Sequence, residues 1–187
     1  FQDDATAWIW ELAIPIATFN DEGYQVQPGE DASLDGSYCF ITGNGYEEGN
    51  GGFDDVDGGK TTLFSPVFDL SGYDDVLISY WYWYTNNIGD NVGNDLWQGF
   101  VSNNNGVTWE DLQITSNSSN GWVKDRVVLS NEIELTGSIQ FKFIAEDLLY
   151  PGDAGSGGSL IEAALDDFIL EYVPSNSGIL GDVNNDE

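Results

Sequence analysis

The sequence predicts an all-β protein, an antiparallel β-sandwich of the jelly-roll type with little helix, and three observations indicate it. Apolar, β-branched and aromatic residues cluster in short runs of strand length. Segments rich in Gly, Asn and Ser, such as NNIGDNVGND and TSNSSNG, separate these runs and are typical of turns. No run has the spacing of a helix longer than one or two turns. Short strands separated in this way favour a sandwich or a jelly roll.

Seven strands are expected, in chain order over residues 61–70, 76–84, 96–102, 108–114, 122–129, 138–145 and 160–173. Pro66 lies within the first of them. Because proline cannot donate a hydrogen bond to a neighbouring strand, Pro66 predicts an edge strand or a bulge.

The second predicted strand carries the run YWYWY over residues 80–84, which is aromatic on both faces. We interpret it as a central strand, with one face in the core and the other beneath a loop or a neighbouring subunit. The alternative is a platform on which sugar rings stack, with Trp81 and Trp83 as the candidate ligand-binding residues.

The charge of the chain excludes several classes of function. Asp and Glu total 33 against four Lys and Arg, which gives a formal net charge of −29. A nucleic-acid partner requires a basic face that four cations cannot form, and anionic membrane surfaces are disfavoured for the same reason. No apolar run approaches the 18 or so residues that a membrane-spanning helix needs, so membrane insertion is not expected. Hydrophobic residues make up 41% of the chain, which is typical of a folded protein.

The residues needed for common catalytic chemistry are scarce. The chain has no His, and Cys39 is its single cysteine. His-based general-base catalysis, zinc sites of the His/Cys kind and an intrachain disulfide are therefore excluded. Paired carboxylates could serve a glycosidase, but no segment presents two of them on one strand face among Trp and Arg residues. We expect a non-catalytic protein in which Cys39 is a small buried residue.

One loop concentrates negative charge in a chain that is already acidic. The stretch GGFDDVDGGKTT, residues 51–62, places Asp54, Asp55 and Asp57 within four residues and surrounds them with glycine. Such a loop is either a solvated spacer or the site of a cation.

Three segments together resemble a known group of proteins. They are WELAIP at residues 10–15, the stretch from TGNG at 42–45 through DVDGGKTTLFSPVFDLSGYDDVLISYWYWYTNN at 55–87, and GSGGSLIEAALDDFIL at 155–170. They resemble the MAM-like jelly-roll domains of secreted bacterial proteins, which are often appended to peptidases, over residues 8–172. In addition, SNNNGVTW at 102–109 resembles an Asp-box with Asn104 in place of the Asp, a motif that forms a structural hairpin.

The MAM-like resemblance implies a cation, calcium, held between the acidic loop and the last strand. The matching positions are Asp55 and Asp57 in the loop and Asp166 and Asp167 in the strand, with Asp54 a weaker candidate. Because side chains alternate along a strand, only one of Asp166 and Asp167 is expected to be a ligand. Glu162 shares a face with Asp166, so this pair is preferred and Asp167 remains open. Calcium takes six to eight oxygen ligands and fits this set better than magnesium does.

The composition changes after residue 173. We expect a jelly-roll domain over residues 1–173 and, over 174–187, a linker with a truncated calcium loop. Asp182, Asn184 and Asp186 occupy positions 1, 3 and 5 of an EF-hand-type loop, and ILGDVNNDE resembles the opening of a dockerin-type repeat. Half a loop cannot complete a coordination sphere, so further oxygens would come from another segment or another chain.

Two functions follow as hypotheses. The first is a calcium-binding module of extracellular adhesion or assembly, which associates with itself or with another extracellular protein or glycan. The second is an accessory glycan- or protein-binding domain of a larger secreted hydrolase or peptidase. The carboxylate-rich, lysine-poor composition suits a secreted protein, and a start at Phe1 without Met or an apolar leader predicts a processed or excised segment.

Overall fold

The computed structural model describes residues 9–45, 51–52, 54–89, 91–148 and 159–174. Residues 173 and 174 are described by their backbone only. These ranges contain eleven β-strands and one 3-10 turn, and no α-helix. The strands are β1 Trp10–Ala13, β2 Thr18–Phe19, β3 Gln25–Gln27, β4 Cys39–Thr42, β5 Gly59–Phe64, β6 Tyr73–Thr85, β7 Trp97–Ser102, β8 Glu110–Thr115, β9 Val123–Val128, β10 Gln140–Asp147 and β11 Glu162–Pro174.

Two antiparallel sheets form a sandwich. The first has the strand order β1-β4-β11-β6-β9 and the second the order β5-β10-β7-β8, while β2 and β3 form a separate hairpin. Every strand pair is antiparallel. The predicted fold class, an all-β jelly-roll sandwich with little helix, is confirmed.

All seven predicted strands are present as β5 to β11, and β1 to β4 were not predicted. The strand predicted over 61–70 ends at Phe64, and Pro66 follows it. Since β5 is an edge strand of its sheet, the prediction made from Pro66 is confirmed.

The core fills the space between the two sheets with aromatic rings. Tyr80 and Tyr84 of the central strand β6 are fully buried there, together with Trp97 of β7 and Phe143 of β10. The Tyr80 and Phe143 rings meet edge to face with centroids 5.0 Å apart. Burying each such side chain contributes about 1.5–3 kcal/mol.

The opposite face of β6 lies beneath the segment of residues 14–37. The carbonyl oxygen of Val26 in β3 accepts hydrogen bonds from the indole Nε1 of Trp83 at 2.7 Å and from the hydroxyl of Thr85 at 2.6 Å. Trp122 Nε1 donates to the carbonyl oxygen of Glu30 at 2.9 Å. The interpretation of the YWYWY run as a central strand, with its second face beneath a loop, is therefore correct.

The segment that resembles an Asp-box forms the tight turn between β7 and β8. Ser102 Oγ accepts a hydrogen bond from the Gly106 amide at 2.8 Å, and Asn104 Oδ1 accepts one from the Thr108 amide at 2.9 Å. Asn105 and Gly106 have φ values of 57° and 81°, in the left-handed region. Asn104 thus supplies the turn's acceptor in place of Asp, and the motif is the structural hairpin that was predicted.

All four cationic side chains lie in strands: Lys60 in β5, Lys124 and Arg126 in the edge strand β9, and Lys142 in β10. The Lys142 ammonium lies 4.5 Å from the centroid of Phe100 and 4.4 Å from that of Trp109. Partial burial, and then the neighbouring Lys60, lower the pKa of Lys142.

Two further predictions concern membranes and the tail. None of the helical structure in the described ranges is long and apolar enough to cross a membrane. Asp182, Asn184 and Asp186 of the predicted half-loop lie outside the described residues.

Candidate metal centre

The acidic loop lies against the beginning of β11. The Val56 amide donates a hydrogen bond to the carbonyl oxygen of Ile161 at 2.8 Å, and the Gly51 amide donates one to the carbonyl oxygen of Phe19 at 3.0 Å. A Cβ atom on Gly51 would lie only 2.8 Å from Val26 Cγ2, so this close approach requires glycine. The loop is thereby fixed between the β2–β3 hairpin and β11, where Glu162 begins the strand.

The predicted loop carboxylates are buried. The exposed fractions of Asp54, Asp55 and Asp57 are 6%, 3% and 1%, and that of Glu162 is 0%. Charged carboxylates are almost never fully buried unless they are paired or bind a metal. The loop is therefore not the solvated spacer that the sequence left open.

The pKa values of these carboxyl groups reflect their crowding. Burial, followed by the charge of Asp57 and then by Asp147 and Asp54, raises the pKa of Asp55 to about 8. Burial also raises the pKa of Glu162 well above its ordinary value, and the charges of Asp55 and Asp54 add to this effect. Asp54, Asp55, Asp57 and Glu162 therefore share one electrostatic environment, which we call the acidic cluster.

Within the part of the chain that the structure describes, Oδ1 of Asp55 and Oε1 of Glu162 are buried and accept no hydrogen bond. Among the described residues, the Thr42 hydroxyl alone donates to the other oxygen of Glu162, in a long contact of 3.5 Å. A buried carboxylate oxygen without a donor is costly, unless it is protonated or contacts a cation.

Asp147 adjoins the acidic cluster, and the sequence analysis missed it. This fully buried residue ends β10 opposite Gly59, next to the acidic loop, and it contributes to the raised pKa of Asp55. Burial raises the pKa of the Tyr84 hydroxyl, with Asp95, Glu146 and Asp147 as further causes, so carboxylates also surround this tyrosine. The signal for Asp147 was an acidic pair, Glu146-Asp147, directly after the predicted strand 138–145.

Asp166 and Asp167 are not brought to the loop carboxylates. Glu162 pairs with Thr85 and Asp166 pairs with Trp81, four residues along β11, which corresponds to about 13 Å. Asp166 instead accepts hydrogen bonds from the amides of Ala32 at 2.9 Å and of Asp167 at 2.8 Å. A bulge follows, and the φ of Asp167 is 47°. Asp166 thus fixes the loop at Ala32. The position of Asp166 does not support a cation that Asp166 and Asp55 bind together.

The acidic cluster is not a preformed ligand set. Within the described ranges, no three Asp, Glu or Cys side chains converge as closely as the ligands of one metal ion do. Like-charged carboxylates repel one another, whereas calcium coordination also draws on backbone carbonyls and waters. The donor atoms are all oxygens and the surrounding charge is negative, so the chemistry of the acidic cluster fits calcium.

The remaining predicted residues take structural positions. Trp81 lies beneath Lys124, whose ammonium is 5.6 Å from the ring centroid, and Trp83 lies under the β2–β3 hairpin. Cys39 is buried, as predicted. Burial, and then the charges of Asp166 and Asp31, raise the pKa of its thiol to about 12. The thiol is therefore protonated and unreactive at neutral pH.

Comparisons with known proteins give similarities of structure only. No family model and no curated protein matches the sequence. The CBM22-1 xylan-binding domain of Paenibacillus barcinonensis Xyn10C is 15% identical, with 89% of this chain and 87% of that chain covered and a TM-score of 0.38. The K1 cleaved adhesin domain of Lys-gingipain from Porphyromonas gingivalis W83 is 11% identical, with 92% and 99% covered and a TM-score of 0.41. The mannan-recognising carbohydrate-binding module TmCBM27 is 10% identical, with 92% and 100% covered and a TM-score of 0.34. At these values the similarities support no inference about function.

Proposed function

We propose that this protein is a non-catalytic, calcium-binding β-sandwich module that acts outside the cell in adhesion or assembly. The observation that carries the proposal is the acidic cluster, in which the buried oxygens Asp55 Oδ1 and Glu162 Oε1 receive no hydrogen bond from the described residues. At neutral pH a divalent cation satisfies such oxygens and offsets the repulsion among their charges.

Calcium binding would draw the carboxylates of Asp55, Asp57 and Glu162 closer together than they lie in this structure, with Asp54 and Asp147 within the same negative field. Its irregular coordination by six to eight oxygens accommodates a loop that also offers backbone carbonyls, whereas magnesium demands near-octahedral geometry. Calcium is abundant outside cells, which agrees with the proposed extracellular setting. When bound, the ion would supply structural stability, because it joins the acidic loop to β11.

A non-catalytic role agrees with the chemistry of the chain. It has no His, and its one thiol is buried with a raised pKa. The clustered carboxylates are covered by the fold, so they have little surface on which to meet a substrate. We therefore expect no hydrolysis of glycosides, esters or peptides by this chain.

The calcium proposal is tested with Asp55→Asn, which removes a charge and keeps the shape of the side chain. In the parent protein, calcium at a hundredfold excess over its Kd should stabilise the fold by about 2.7 kcal/mol. Asp55→Asn should lose most of this gain in thermal denaturation. The same variant should be more stable than the parent in calcium-free solution at pH 8, because it no longer buries an uncompensated charge.

The matched control is Glu132→Gln, which changes an exposed carboxylate beside the 3-10 turn at the other end of β6. It should keep the full calcium-dependent gain. A melting temperature of the parent that does not respond to millimolar calcium would refute the proposed site.

A further inference from the structure

We propose that the cleft between the β2–β3 hairpin and the end of β6 binds a neutral saccharide. This inference goes beyond the calcium proposal and rests on a separate region of the molecule. The cleft has a volume of about 590 Å³, within the usual range for small-molecule sites. Its walls are the hairpin turn around Asn20, the end of β6 at Trp83 and Thr85, and the loops at Asn87 and Asn120.

The walls are held in place by hydrogen bonds. Trp83 and Thr85 both donate to the Val26 carbonyl oxygen, which fixes the hairpin on the sheet. Asn20 Oδ1 accepts from the amides of Glu22 at 3.1 Å and Tyr24 at 2.8 Å, and this closed turn fixes the backbone at Tyr24. Asn87 Nδ2 donates to Asn120 Oδ1 at 3.1 Å, and this hydrogen bond joins the loop at Asn87 to the loop at Asn120. A site built in this way is largely formed before a ligand arrives.

An exposed aromatic ring lines the cleft. Tyr24 has 63% of its surface exposed, and the buried Trp83 lines the cleft as well. Exposed tyrosine combines an apolar ring with a hydroxyl, and such side chains are common where one face of a ligand is apolar and its edge is polar. A sugar ring has this character, since its C–H face is apolar and its rim carries hydroxyls.

The polar groups of the cleft are mostly amides. Asn20 Nδ2 donates no hydrogen bond within the described residues, and Gln25 Oε1 and Asn87 Oδ1 accept none there. One free donor and two free acceptors match sugar hydroxyls, because a hydroxyl both donates and accepts. Specificity in such sites comes from a few placed polar groups of this kind.

The charge of the cleft selects against anionic ligands. None of its described lining residues is Lys or Arg, Glu22 is the one carboxylate among them, and the chain carries a net charge of −29. An anionic sugar would meet repulsion without any compensating cation. The ligand class is therefore a neutral saccharide.

Isothermal titration calorimetry at constant 5 mM calcium tests the inference on the whole chain. The probes are the neutral hexasaccharides cellohexaose, xylohexaose, mannohexaose and maltohexaose, with hexagalacturonate and hexameric chitosan as the anionic and cationic counterparts. We expect at least one neutral probe to bind and hexagalacturonate not to bind. Tyr24→Ala should weaken binding of the neutral probe at least tenfold, and Tyr24→Phe, which keeps the ring, should weaken it less.

The matched control is Tyr38→Ala, because Tyr38 is 59% exposed and lies outside the cleft. It should bind as the parent does, and melting temperatures should show that all variants are folded. The inference fails if no neutral probe binds, or if Tyr24→Ala binds as tightly as the parent. It also fails if chitosan alone binds and Glu22→Gln removes that binding, which would indicate a cationic ligand. The calcium proposal is tested separately, by the response of the melting temperature to calcium.

Discussion

Asp55 is the residue at which the stability of the fold, its protonation and the proposed calcium site are most directly linked. Burial raises its pKa to about 8, against about 3.9 in an unfolded chain. Between these values the native state holds a proton that the unfolded state has lost. Without calcium, the free energy of unfolding should therefore fall as pH rises from about 4 to about 8.

Urea denaturation at pH 5 and pH 8, in calcium-free and calcium-containing buffer, measures this dependence. The proposed calcium ion would compete with the proton on Asp55, so the fall in stability with pH should shrink when calcium is present. Asp55→Asn should make the calcium-free fall shallower. A calcium-free stability that rises between pH 5 and pH 8 would contradict the assignment.

Gly106 is required by the backbone of the β7–β8 turn. Its φ is +81°, and an added Cβ would lie 3.2 Å from Trp109 Cζ2. Gly106→Ala should lower the free energy of unfolding by about 1–3 kcal/mol in chemical denaturation. Gly72→Ala is the control, since a Cβ there meets nothing within 4 Å, and its effect should stay within about 0.5 kcal/mol. Equal effects of the two substitutions would argue against strain at Gly106.

Some site residues could be predicted from the sequence and others could not. Asp54, Asp55 and Asp57 lie within four residues of the chain, so their crowding was visible in the sequence. Glu162 was found from the alternation of side chains along a strand. Asp147 joins them only through the pairing of β10 with β5, which composition does not reveal. Asp166 was preferred because it shares a face with Glu162, but four residues of extended strand separate the two.

The β2–β3 hairpin depends on two side chains of β6 for its position. The Thr85 hydroxyl donates to the Val26 carbonyl oxygen and also accepts from Trp83 Nε1 at 3.1 Å. Thr85→Val removes both hydrogen bonds at nearly constant volume and should cost about 0.5–1.5 kcal/mol for each bond lost. Amide hydrogen exchange over residues 25–27 should become faster.

Thr85→Ser keeps the hydroxyl and serves as the control for this substitution. Its hairpin amides should exchange at close to the parent rate. If Thr85→Val leaves the exchange of residues 25–27 unchanged, contacts other than these hydrogen bonds hold the hairpin on the sheet.

The strands that were predicted differ in kind from those that were missed. β5 to β11 are at least six residues long and rich in β-branched and aromatic residues, so their composition identified them. β1 to β4 have two to four residues each, which is too few to show the alternation of apolar and polar residues that identifies a strand. β1 and β4 are held by partners distant in sequence, as in the pairing of β4 with β11, and the β2–β3 hairpin is held on β6 through the Val26 carbonyl oxygen. These four short strands are determined by tertiary contacts, which cannot be deduced from a single sequence.

The net charge of −29 on the whole molecule predicts that its self-association depends on calcium. Repulsion between copies should keep the protein monomeric at low salt without divalent ions, and calcium should permit association by bridging carboxylates. Sedimentation with and without 5 mM calcium measures this directly. We expect larger species only when calcium is present.

A chain that ends at residue 173 separates the roles of the domain and the tail. If it no longer associates, the predicted half-loop at Asp182, Asn184 and Asp186 contributes ligands to the assembly. If it associates with the same calcium dependence, the domain alone is responsible. If both forms stay monomeric in calcium, self-assembly is refuted and the accessory-module function becomes the better account.

The placement of the four cationic residues in strands affects the resistance of the native protein to proteolysis. Trypsin-like enzymes cut after Lys or Arg and need an extended, accessible segment, which loops usually provide. Here each such bond lies within or at the end of a hydrogen-bonded ladder in β5, β9 or β10. Trypsin should therefore digest the native protein slowly, at a rate set by strand opening, while an enzyme specific for Glu or for aromatic residues cuts sooner. A lysine-poor sandwich would thus persist where trypsin-like proteases are abundant.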